Sequence, residues 1–111
     1  MRCIIPNKVK FVNELNNIIP KYHGGVNKIE YKVYKFKPEG WLKEFLVITY
    51  EGGAKTVRCC DGNSFSAIFE ELSQYLDSGY YMELNRYNAL TVDPNWIEMT
   101  LEQLEEDYRN K

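Results

Sequence analysis

At 111 residues, with 44% apolar and 27% charged side chains, the chain can build one domain with a real core and is too apolar for global disorder. No window approaches the run of about 18 uncharged apolar residues that a membrane-spanning helix needs, and the apolar stretch before Pro6 is only three residues, too short for a signal-peptide core. The net charge of −2 divides unevenly: residues 1–60 hold eleven Lys/Arg against five Asp/Glu, and residues 61–111 hold three against eleven.

That asymmetry suits a basic face for a polyanion, an acidic face that imitates one, or two halves that neutralise each other. The three cysteines are odd in number and lack the spacing of a secreted framework. The expected compartment is therefore reducing and cytoplasmic, with no membrane association.

Asn7 is positioned to cap a first helix and Pro20 to end it. Phe11, Val12, Leu15, Ile18 and Ile19 fall on one stripe of that helix. KYHGGVN is loop chemistry. Residues 28–37, KIEYKVYKFK, read as a strand with Ile29, Tyr31 and Val33 on one face and Tyr34 and Phe36 on the other. Pro38 and Gly40 make a turn, and WLKEFLVITY, residues 41–50, is the strongest strand. Glu51-Gly52-Gly53 turns the chain back into a third strand over residues 54–60.

The next helix is the clearest element. Phe65, Ile68, Phe69, Leu72, Tyr75 and Leu76 recur at helical spacing, Asn63 or Ser64 supplies the cap, and Gly79 the stop. Glu70 and Glu71 fall on its solvated side. Residues 80–87, YYMELNRY, read as a strand or an extended arm. Asp93-Pro94-Asn95 is a turn, and Thr100 with Gln103 opens a final acidic helix as a capping box.

The expected fold is α+β: a small antiparallel sheet of three to four strands with helices packed on one face. The order is α-β-β-β-α, followed by an extended segment and a C-terminal helix. One domain spans residues 1–111, with a core over 7–79 and an extension over 80–111. In the second strand Phe45 and Val47 alternate with Leu46 and Ile48, so both its faces are apolar. Helices cover one. The other needs the C-terminal segment with Trp96, Leu101 and Leu104, or a second chain.

Chemistry is sparse. Cys59 and Cys60 are neighbours on a strand and point to opposite faces, so a bridge or a shared metal between them is disfavoured. Three cysteines and one histidine, none paired in zinc-site spacing, give no metal site, and no cofactor is expected. A catalytic reading would rest on Cys60, just before a helix N-terminus, or on His23 in its glycine loop. The expectation is that the chain is not an enzyme.

Two surfaces stand out instead. Lys28, Lys32, Lys35 and Lys37 interleave with Tyr31, Tyr34 and Phe36, a pattern suited to phosphates and stacked bases, or to guarding an edge strand against foreign pairing. Tyr80, Tyr81, Tyr87 and Trp96, with Leu101 and Leu104, offer a protein interface or complete the core.

The α-β-β-β-α order over residues 7–77 resembles the double-stranded-RNA-binding domain, which implies duplex RNA as a ligand. That family places a lysine cluster at the start of its second helix. The matching stretch here, NSFSAIFEE, has no lysine and two glutamates. In style the chain resembles small accessory proteins of phages and conjugative elements, with Lys over Arg and many Asn and Tyr. The leading expectation is a non-catalytic binding module acting through a protein partner or a homodimer. Nucleic-acid binding through residues 28–37 is the alternative, and a small enzyme using Cys60 or His23 the second.

Overall fold

Pro6 sets the start of the first helix. Its fixed φ and missing N–H are tolerated in a first turn, so α1 runs Ile5–Leu15 from an extended Ile4. The expected cap at Asn7 therefore lies inside the helix, and no side chain caps its start. Pro20 does not end α1 either; it sits in the first turn of a separate short helix, α2, Ile19–Tyr22. The computed structural model describes residues 4–22, 24–76 and 84–109.

Three long strands follow as expected. They are β1 (Val26–Phe36), β2 (Leu42–Tyr50) and β3 (Lys55–Cys59), joined by turns at 37–40 and 51–53. Gly52 and Gly53 take φ of 91° and 93°, which only glycine adopts without strain. The helix α3, Phe65–Tyr75, starts with the Ser64 hydroxyl accepting from the Ala67 N–H at 3.3 Å. Its start carries no lysine, as the sequence has it.

Of residues 80–87, expected as a strand or arm, 80–83 lie outside the described residues and 84–87 are helical, within α4, Leu84–Thr91. A three-residue strand β4, Trp96–Glu98, and α5, Leu101–Arg109, complete the chain. The Thr100/Gln103 capping box opens α5, with reciprocal bonds of 2.9 and 3.2 Å.

Among the described residues the four strands form one antiparallel sheet in the order β3-β2-β1-β4. β1 is therefore not the edge strand that its lysines suggested. β4 pairs with Tyr34–Phe36, and further along the same margin the Ile29 N–H donates to Asn16 Oδ1 at 3.0 Å. The edges of the sheet are β3 and β4.

Period-two alternation sorts the core into two layers. Ile29, Tyr31, Val33, Leu46 and Ile48 face Val12 of α1, Ile68 and Leu72 of α3, and Leu104 of α5. Phe45, Val47, Val57 and Tyr34 face the other way, against Tyr87 and Leu90 of α4. Fully burying a side chain of this size contributes about 1.5–3 kcal/mol, so neither face could stay wet. The chain itself covers the second face of β2. The cover is α4 with Trp96, not Leu101 and Leu104, which belong to the helix on the first face.

Candidate binding surface

The cysteines are placed by strand alternation. Cys60 is fully buried in the first layer, and Cys59 is half-buried against the second. Burial, with Glu71 nearby, pushes the Cys60 thiol up to about 12, and burial pushes the Cys59 thiol up as well. Neither has the depressed pKa of a nucleophilic thiol. His23 lies outside the described residues. Among those residues, no cluster of three or more His, Cys, Asp and Glu side chains is placed to hold a metal. No helix among them is long and apolar enough to cross a membrane.

The most polar interior site is Lys8, Glu44 and Tyr31. The Lys8 ammonium donates to Glu44 Oε1 at 2.9 Å, and the Tyr31 hydroxyl lies 2.9 Å from the same oxygen and 3.0 Å from the Cys60 carbonyl. The Glu44 N–H donates to Asp61 Oδ1 at 2.6 Å. Burial and the Glu44 charge drive the Tyr31 phenol well above its usual range. Lys8 is 3% exposed and Glu44 6%, so these groups bind one another rather than a substrate. Glu71, expected in solvent, is half-buried and lies 3.3 Å from Arg58, while Glu70 is exposed.

The lysines of β1 are largely occupied. Lys32 sits 2.6 Å from Glu98 and 3.0 Å from Glu30, Lys28 lies 3.3 Å from Glu30, and Lys35 lies 3.8 Å from Asp107. Burial opposes the charge on Lys32, but its hydrogen bonds to Glu98 and Glu30 outweigh it and raise its pKa to about 12. Burial likewise pushes Glu30 up, yet Lys32 and Lys28 hold its carboxyl below the ordinary range. A strand that looked basic in sequence is a lattice of alternating charges.

The tyrosine-rich candidates scatter. Tyr80 and Tyr81 lie outside the described residues. Tyr87 is buried, its hydroxyl 3.1 Å from that of Tyr34 and its ring edge-on to Phe45. Leu104 is core, Leu101 is partly buried, and Trp96 is half-buried.

Trp96 leads to the surface that sequence reasoning missed. It pairs with Phe36 across β4 and β1, and Phe36 pairs with Trp41 across the hairpin, the Phe36 N–H donating to the Trp41 carbonyl at 2.8 Å. The rings follow the backbone: Phe36 and Trp96 centroids are 5.0 Å apart, and Phe36 and Trp41 stack at 5.2 Å with planes 16° apart. The result is a row of three aromatics running from β4 across β1 to the residue that precedes β2, at one end of the sheet. Its inner end packs against the second core layer, and its outer end, Trp41, is 60% exposed.

Cross-strand aromatic pairs stabilise a sheet, but a half-bare indole at the end of such a row is not required for that. Residues 35–43, which form this tip, hold three lysines and one glutamate. Among the described residues Lys37 and Lys43 form no ion pair, while their neighbour Lys35 does.

A second exposed apolar site lies on the other face. Phe11 of α1 and Phe65 of α3 are in ring contact at 5.3 Å, beside the half-exposed Phe69. They flank an open hollow of about 490 Å³ with Lys10 and Glu14 at its margin. Comparison with known proteins finds no matching family model, and no curated protein or solved structure similar to this chain.

Proposed function

We propose that the chain is a non-catalytic binding module that docks a partner protein through the Trp96–Phe36–Trp41 row. One observation carries this reading: Trp41 stacks on Phe36 yet leaves most of its surface in water. Preorganised, amphipathic aromatics of this kind are the side chains that dominate protein interfaces. The buried thiols and the self-satisfied Lys8–Glu44–Tyr31 group point away from catalysis.

The test compares capture of proteins from a lysate of the source cells by immobilised wild type, Trp41→Ala and Val92→Ala. Val92 is 81% exposed and outside the row, so it controls for loss of any surface hydrophobe. The reading expects a captured protein that Trp41→Ala loses and Val92→Ala keeps. Equal capture by all three would refute it.

A further inference from the structure

We infer that the segment docking on the aromatic row is a short, extended, acidic peptide of the partner protein. This rests on the row being the contact. The ring centroids lie 5.0 and 5.2 Å apart, so the row spans at most about 10 Å. An extended chain covers that with about three residues at roughly 3.3 Å each. Those residues would lay proline or aromatic side chains along the rings, since flat apolar groups gain most from a planar indole.

Charge decides what flanks them. The tip at residues 35–43 has a net charge of +2 in a chain of net −2. Lys43 stands two residues after Trp41 and so shares its side of the sheet, and Lys37 follows Phe36 in the turn, exposed. These two ammonium groups, in no ion pair among the described residues and next to an apolar strip, fit carboxylates beside the docked residues.

A nucleic acid fits less well. It would need cations continuing along its backbone, and beyond the tip Lys28 and Lys32 are already bound to Glu30 and Glu98, which would repel phosphates. The acidic half of the chain adds to that repulsion.

The experiment measures fluorescence anisotropy of a fluorescein-labelled random copolymer of glutamate and tyrosine, titrated with the full chain, beside labelled oligothymidylate. The inference expects saturable binding of the copolymer. Affinity should fall at least about tenfold in Trp41→Ala and in the Lys37→Glu/Lys43→Glu pair, and fall with salt. Trp41 and Lys37 are exposed and Lys43 is half-buried in β2, so circular dichroism of each variant checks that the fold is kept.

Absence of copolymer binding, or tighter binding of oligothymidylate, would overturn the inference. So would copolymer binding that the tip variants leave unchanged. Failure here with Trp41-dependent capture from lysate intact would discard the acidic peptide and keep the row as the contact. Loss of that dependence would discard both.

Discussion

The Lys8 ammonium on α1 lies 2.9 Å from Glu44 Oε1 on β2, and both side chains are almost entirely withdrawn from water. Glu44 also accepts from Tyr31 on β1, and its own N–H is held by Asp61 in the loop before α3. Glu44 thus ties α1, two strands and the entry to α3 together, the first two through its carboxylate and the last through its backbone N–H. Removing one member of a buried ion pair strands the other. Lys8→Met should therefore cost about 3–5 kcal/mol in urea unfolding. Adding Glu44→Gln keeps an acceptor for Tyr31 and removes the orphaned charge, so the double variant should recover part of the loss. A double variant as unstable as the sum of the singles would show that the pair acts independently.

The Glu30–Lys32–Glu98 lattice sets a pH dependence of defined sign. Glu30 has a folded pKa below its ordinary 4.5, so its contribution is present above that value and is lost as pH falls through the folded pKa. Lys32 is raised from 10.5 to about 12, so its contribution is full below the ordinary value and is lost as pH rises through the folded one. Lys32→Met should therefore cost a constant ~0.5–1 kcal/mol from about pH 6 to about pH 9, modest because the group is part-exposed. The gap to wild type should close in acid. A gap that widened below pH 4 (by about as much again) would reverse the assignment.

The cover over the second face rests on α4. Leu90 and Tyr87 are buried against Phe45, Val47 and Val57. Leu90→Ala should cost about 2–4 kcal/mol and increase binding of a hydrophobic dye. Tyr87→Phe removes only the hydroxyl contact with Tyr34 and should cost about 1 kcal/mol. If Leu90→Ala were neutral by thermal melting, α4 would not be the lid.

Cys60 should be inert in the native state. Its burial and raised thiol predict alkylation by iodoacetamide at neutral pH at least ~100-fold slower than a free thiol. The rate should rise to that of a free thiol in urea. Fast native labelling at Cys60, located by peptide mass mapping, would revive a catalytic reading.

Much of the architecture was legible because it followed periodicity. The double-sided apolar pattern of Phe45–Ile48 demanded two covers, and the structure has two. Ser64, Thr100 and Gln103 announced their caps by residue type and spacing. The helix α4 was hidden because Tyr87 and Leu90, its buried residues, form too short a stripe after a tyrosine run that favours strand.

The binding surface was harder to see. Trp41 shares the side of Phe45 and Val47 by alternation, and a sequence cannot show that α4 stops short of it. The available signal was the pairing of Phe36 with Trp41 across the turn at 37–40, which places two rings side by side. The lysines of β1 misled in the opposite direction, because their partners Glu98 and Asp107 arrive from more than sixty residues away.

The most direct measurement is hydroxyl-radical footprinting of the chain, free and in complex with the protein it captures. Exposed Trp41 and Phe69 should both be oxidised in the free chain. In the complex Trp41 should be protected and Phe69 should stay reactive. Protection of Phe69 with Trp41 still fully oxidised would place the contact on the α1–α3 side and contradict docking through the row.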